Sequence, residues 1–157
     1  MRQPMRRHLL CFGNELHGDD GFGPAVGRRL LAQPLPRPWE LHQIGTRGLD
    51  ALSLLLDCEA AIVIDAAAPH GQPGRLRELD VSAVATEASI VGHGMGLGFV
   101  LRALQASGEP RPALRILTAE MADVSPFRMS LSPAVAEAVD AAVVQIRLWM
   151  SDDAAPC

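Results

Sequence analysis

Apolar runs and amphipathic stretches alternate along this chain. His8-Leu9-Leu10-Cys11-Phe12 is apolar after its first residue and predicts a short buried strand. A Gly-rich stretch follows. Phe22, Val26, Leu30 and Leu31 then recur at helical spacing and predict a helix from about Gly23 to Gln33. Pro24 suits the first helical turn, and Pro34, Pro36 and Pro38 end the helix. Trp39 to Ile44 alternates, as a second strand does, and Gly45-Thr46-Arg47-Gly48 reads as a turn. A short helix follows with Leu49, Leu52, Leu55 and Leu56 on one side. Ala60 to Ala66 is apolar except near its end, as expected of a parallel strand covered on both faces.

Residues 69–74 read as loop and Leu76 to Val81 as a weaker fourth strand. A helix from about Met95 to Ala106 turns Leu97, Val100, Leu101 and Leu104 inward, and Leu114 to Ala119 is a fifth strand. The last helix has Ser132 as N-cap and Pro133 at its first position. It runs to about Met150 with Val135, Val139, Ala142, Val143 and Ile146 toward the core. Strands alternating with helices predict an α/β three-layer sandwich: a largely parallel, twisted sheet of about five strands with helices on both faces. The 157 residues are expected to form one domain, with 1–7 and 151–157 frayed.

Composition narrows the function. Nearly half the residues (48%) are apolar, enough for a real core. A net charge of −4 argues against nonspecific nucleic-acid binding. No 18-residue apolar run is present, so no membrane span is expected, and the first residues lack the pattern of a secretory signal. Cys11, Cys58 and Cys157 are odd in number and have no Cys-x-x-Cys spacing. They predict a reducing, cytoplasmic setting rather than a disulfide frame or zinc ribbon.

Asp20, Asp65 and His93 carry the candidate chemistry. Each lies just past a predicted strand or at its end, and such loops converge on one crevice of an open α/β sheet. Two carboxylates and an imidazole there suit a hard or borderline divalent metal. The stretch from Gly13 to Gly23 makes a poor phosphate cradle. It has neither Gly-x-Gly-x-x-Gly nor a Walker pattern, and Glu15, Asp19 and Asp20 would repel phosphate. Its glycines can supply positive φ. Of the adjacent Asp19 and Asp20, one is expected to cap the helix while the other faces the crevice. Asp65 follows four apolar strand residues and is costly to bury unpaired. His8, His17, His42 and His70 have weaker contexts, His17 being an accessory ligand candidate in the acidic loop. Cys11 reads as a small buried hydrophobe. Neither Gly-x-Ser-x-Gly nor His-Glu-x-x-His occurs.

Together these residues resemble the nickel–iron hydrogenase maturation proteases, the endopeptidases that trim the C-terminus of the hydrogenase large-subunit precursor. That family opens with a strand, Gly-Asn, an apolar residue two positions on, an acidic pair, Gly-x-Gly and a helix. Here this stands as Phe12-Gly13-Asn14-Glu15-Leu16-His17-Gly18-Asp19-Asp20-Gly21-Phe22-Gly23-Pro24. The family's Gly-Thr-x-Gly turn stands as Gly45-Thr46-Arg47-Gly48, and its Asp after the third strand as Asp65 in Val63-Ile64-Asp65-Ala66. Its His before an amphipathic helix stands as His93, followed by Gly96-Leu97 and Val100-Leu101. Its late helix start stands as Leu131-Ser132-Pro133-Ala134-Val135. Three departures stand out. Asp20 occupies a position where some members have Glu; the loop from Met121 to Met129 lacks the acidic residue expected near its start, apart from Glu120 and Asp123; and Met1 to Arg7 extends beyond the usual start at the first strand.

The resemblance implies that Asp20, Asp65 and His93 bind nickel carried by the substrate, so that the precursor is cut after nickel insertion. It implies no organic cofactor, and a hydrogenase large-subunit precursor as partner. The three residues would also serve hydrolysis from the same site, either through the metal or with Asp20 or Asp65 as general base. Two other readings fit the same residues: a metallohydrolase with its own divalent ion, and a nickel-binding chaperone or adaptor that does not cut.

Overall fold

The computed structural model describes residues 5–86, 96–122 and 127–153. Five strands form one sheet: β1 (Arg7–Phe12), β2 (Trp39–Gly45), β3 (Ala60–Ala67), β4 (Leu76–Leu79) and β5 (Ala113–Glu120). Five helices accompany them: α1 (Phe22–Leu31), α2 (Gly48–Leu56), α3 (Val81–Thr86), α4 (Leu97–Ala106) and α5 (Pro133–Asp153). The strand order is β2-β1-β3-β5-β4, parallel except for β4, which runs antiparallel to β5. The chain leaves β1 toward one edge for β2 and crosses back to β3 on its other side. The switch point between β1 and β3 is where an open α/β sheet offers a crevice at its carboxyl ends.

The sheet is covered on both faces, which is why β1 and β3 are apolar at successive positions. Leu9, Cys11, Ile62 and Ile64 pack with Phe22, Val26 and Leu30 of α1 and with Val135, Val139, Ala142 and Ile146 of α5. Leu10, Phe12, Ala61 and Val63 pack with Leu55 of α2, Val84 of α3, and Val100, Leu101 and Leu104 of α4. This is the expected three-layer sandwich.

Details depart from expectation. The fourth strand ends at Leu79, and Val81 opens α3 instead of closing β4. Only Ala51 and Leu55 among the apolar side chains of α2 are fully covered, while Leu49 and Leu56 face solvent. Arg7 belongs to β1 and residues 151–153 to α5, so those parts of the termini are ordered elements; residues 1–4 and 154–157 lie outside the described residues. Among the described residues no helix is long and apolar enough to cross a membrane.

Two glycines set how α1 meets the sheet. Gly13 has φ +128°, a backbone region that side-chain-bearing residues avoid. Gly23 instead permits close approach: a Cβ there would lie 2.0 Å from the carbonyl oxygen of Phe12 and 3.0 Å from that of Ile64. The first turn of α1 is therefore seated on the carboxyl ends of β1 and β3.

Candidate active site

The three acids of the loop after β1 have three different fates. Glu15 is exposed and pairs with Arg28 at 2.7 Å. Asp19 is buried and turns toward the far end of the chain. Its Oδ1 accepts from the Ser132 backbone N–H at 2.7 Å, and its Oδ2 from the Ser132 hydroxyl and the Ala122 N–H at 2.9 and 2.8 Å. It thus anchors the residue that starts α5 rather than capping α1, and neither the 3-10 turn Gly18–Gly21 nor α1 has a side-chain cap. Asp20, also buried, is the member of the pair that faces the crevice. Its Oδ2 accepts from the Asn14 backbone N–H at 2.9 Å, and its Oδ1 has no partner among the described residues.

Asp65 is the sixth residue of β3 and follows the alternation of Ala61 and Val63, toward the face covered by α2 and α4. It is 3% exposed. Among the described residues its hydrogen-bond donor is the Ala66 N–H, to Oδ1 at 2.8 Å. Burial and the nearby Asp20 carboxylate together push its pKa up to about 8, against the smaller opposing effect of that hydrogen bond. The structure therefore brings Asp20 and Asp65 together as two buried carboxylates, one with an orphaned oxygen and one that holds a proton near neutral pH. Such an arrangement is costly in an ordinary core and is characteristic of functional sites. A divalent cation between them would relieve both the repulsion and the orphaned oxygen. His93, the third candidate, lies outside the described residues.

A cleft of about 550 Å³ is lined by Asn14, Pro24, Arg28, Gln43, Thr46 and Arg47 among others; Asn14, whose N–H donates to Asp20, links it to the pair, though neither carboxylate lines it. The Gly45–Gly48 turn forms one wall, tied to the acidic loop by the Gly13 N–H donating to the Gly45 carbonyl at 3.0 Å. Elsewhere in the acidic loop, the Gly18 N–H donates to the Arg128 carbonyl. There Leu16, Phe127 and Met129 expose large apolar side chains.

The remaining candidates sit elsewhere. Glu120 is buried at the end of β5 and accepts the His70 and Gln72 backbone N–H groups. Burial alone would raise its pKa, but these two hydrogen bonds and the charges of His70 and Arg75 hold it below the usual range. Its role is to fasten the 69–75 loop. Burial pushes the Cys11 thiol up to about 12; burial and then Asp57 push Cys58 up to about 11. Neither provides a thiolate nucleophile or a soft ligand at neutral pH. His8, near the amino end of β1, faces His42 in the middle of β2, an edge strand that does not adjoin β3; no motif in the sequence pairs them.

Comparison with known proteins gives the chain's family. The family model described as hydrogenase maturation protease (HycI) matches residues 24–148. The hydrogenase expression/formation protein HupD of Rhodobacter capsulatus is 32% identical over 94% of this chain and 74% of its own length. The hydrogenase maturating endopeptidase HybD of E. coli superposes with a TM-score of 0.84 at 28% identity, covering 96% of this chain and 94% of its own. A hydrogenase 2 maturation peptidase from a Thaumarchaeota archaeon gives a TM-score of 0.66 at 31% identity over 90% of this chain and 95% of its own. The chain belongs to the hydrogenase maturation protease family.

Proposed function

We propose that this endopeptidase removes the C-terminal extension of a nickel–iron hydrogenase large-subunit precursor after nickel insertion, and that Asp20, Asp65 and His93 read the nickel that the substrate carries. The observation that carries the reading is the buried Asp20–Asp65 pair at the switch point of the sheet. Two like-charged carboxylates forced together, one oxygen unsatisfied, favour a cation that arrives from outside. A carboxylate pair with one imidazole leaves coordination positions for the precursor's own groups and for water.

In this reading the nickel is part of the substrate and acts as the mark of a completed insertion. Docking sets the scissile bond beside Asp20 and Asp65. Asp65, which holds a proton near pH 7, gives it up to solvent on ligation, and the proton that the leaving amine gains comes from the attacking water, with Asp20 or Asp65 as the base that carries it. The cleft between Asn14, Thr46 and Arg47 supports a place for the precursor's extended tail. The exposed Leu16, Phe127 and Met129 supply an apolar rim for its folded part.

The test is a cleavage assay with purified precursor. Nickel-loaded precursor is expected to shorten at its C-terminus, and nickel-free precursor to remain intact. Equal cleavage of both would remove nickel recognition from the account. Binding without cleavage of the loaded form would favour an adaptor role for this chain.

A further inference from the structure

The side of the sheet formed by β1 and β2 carries a second cluster of ligand-type side chains. Parallel pairing sets His8 of β1 beside Glu40 of β2, and Leu10 beside His42. Because side chains alternate along a strand, His8, Glu40 and His42 all project from the face on which Leu10 lies. β2 is an edge of the sheet, so Glu40 and His42 reach solvent, while His8 is 2% exposed. His42 Nε2 lies 3.0 Å from His8 Nδ1 and 3.9 Å from Glu40 Oε2. One ligand atom from each of the three residues falls within 4.8 Å of the other two. Two imidazole nitrogens bound to one ion at about 2.1 Å sit roughly 3.0–3.4 Å apart, depending on geometry. The observed spacing already meets that requirement.

Among the described residues the buried Nε2 of His8 has no partner, and the other ring nitrogen, Nδ1, is the one that faces His42 and would ligate an ion. Burial first, and then the charge of His42, hold the His8 pKa below its ordinary value, which keeps the ring neutral and able to ligate. Nearby Arg6 opposes a cation, but it is paired with Asp57. Glu40 adds a negative charge beside the two rings.

We propose that His8, Glu40 and His42 bind one borderline divalent transition-metal ion, of the zinc, cobalt and nickel class, as an ion of the enzyme's own. Two imidazoles and a carboxylate are the donor set such ions prefer. The site is separate from the acidic crevice. His8 pairs in register with Ala61, four residues before Asp65, or roughly 13 Å along the strand at about 3.3 Å per residue; His42, in register with Leu10 and so with Val63, stands two residues before Asp65 but two strands away, at about 4.8 Å per strand. The ion ties edge strand β2 to β1 and so steadies the strand that leads into the Gly45–Gly48 wall of the cleft.

The test uses the full chain and the metal alone. After treatment with chelator, the wild type, Glu40→Ala, His42→Ala and the double variant Asp20→Asn/Asp65→Asn are each dialysed against CoCl2 and ZnCl2. Bound metal, the visible absorption of bound cobalt and the melting temperature with and without metal are then measured. One equivalent is expected in the wild type and in the double variant, with a melting temperature raised by metal. His42→Ala should lose at least tenfold in affinity together with the thermal shift. Because His42 is half-buried, its metal-free melting temperature reports whether the variant folds. Glu40 is exposed, and its replacement tests the same site without that risk, with a smaller expected loss. No uptake by the wild type, uptake unaffected by Glu40→Ala or by His42→Ala, or uptake abolished in the double variant would each overturn the proposal.

Discussion

Asp19 and Ser132 stand 113 residues apart in sequence, yet both oxygens of the Asp19 carboxylate accept hydrogen bonds from Ser132. With the third bond, from the Ala122 N–H, this one side chain joins the loop after β1 to the end of β5 and the start of α5. Among the described residues the neighbouring Asp20 makes one hydrogen bond and leaves an oxygen orphaned. The adjacent acids therefore divide the work between fold and site. Asp19→Ala leaves two backbone N–H groups without their acceptor and is expected to cost about 3 kcal/mol or more. Asp20→Asn relieves a like-charge contact and should cost under about 1 kcal/mol. Urea denaturation of the two variants checks the contrast; equal losses would contradict the assignment.

The seat of α1 is similarly specific. Gly23→Ala places a methyl group 2.0 Å from the Phe12 carbonyl oxygen, an atom of the backbone that cannot swing aside. The helix must lift from the sheet, carrying the acidic loop with it. A loss of about 2–4 kcal/mol is expected, in the range of overpacked core sites, along with loss of precursor processing. A variant as stable as the wild type would show that α1 can shift freely over β1 and β3.

Within the site, Asp65→Asn and His93→Ala are expected to keep the fold and lose at least 100-fold in kcat/KM on nickel-loaded precursor: each removes a ligand, the first with little change of shape and the second in a glycine-rich stretch of sequence. Circular dichroism and a timed cleavage assay are sufficient. Wild-type processing rates in both variants would take these residues out of the mechanism.

Much of this arrangement is legible in the sequence, and the exceptions have physical causes. The continuous apolar runs of β1 and β3 announce strands covered on both faces, and the ends of those strands locate Asp20 and Asp65. β4 is four residues long and α3 six, too short for either periodicity to show, so the boundary at Val81 is set by tertiary packing. In α2 the leucines are so frequent that they mark no single face, and burial of Ala51 in place of Leu49 is decided by the approach of α4. Which of Asp19 and Asp20 turns inward depends on Ser132, a partner that no local pattern reveals. His8 and His42 lie 34 positions apart and meet only through the register of two parallel strands. The available signal was a histidine opening an otherwise apolar strand and the alternation Glu40-x-His42 on an edge strand.

The raised pKa of Asp65 fixes the sign of a pH effect. Folding lifts the group from its ordinary 3.8 to about 8. Between those values the folded chain retains a proton that the unfolded chain has released, so stability from this group is complete below the lower value and is lost as pH rises through the upper one. Asp65→Asn carries no charge at any pH. Its stability relative to the wild type should be near zero at about pH 4 and favourable by about 2 kcal/mol or more at pH 8.5. Paired thermal melts across that range measure the difference. A constant difference would mean that Asp65 titrates as an ordinary carboxylate.

The source of the processing metal distinguishes a reader of the substrate's nickel from a self-sufficient metallohydrolase. The two reactions share ligands and differ in who brings the ion. Asp20, Asp65 and His93 offer one imidazole and no thiolate, and a metal must displace the proton that burial, and then the Asp20 carboxylate, keep on Asp65 near neutral pH. Donor sets richer in imidazole or thiolate hold nickel and zinc more firmly. The crevice should therefore release any ion on extensive dialysis and fill when nickel-loaded precursor docks. Because His8, Glu40 and His42 are proposed to hold an ion of their own, the measurement belongs in the His42→Ala background, where a residual ion cannot be assigned to that cluster. In that background elemental analysis should find less than about 0.1 equivalent of metal after dialysis, as expected for a Kd weaker than micromolar. Cleavage of nickel-loaded precursor should persist. A full equivalent of tightly held metal there, lost on Asp20→Asn and needed to cut a peptide that carries no nickel, would assign the ion to the enzyme and overturn the substrate-borne reading.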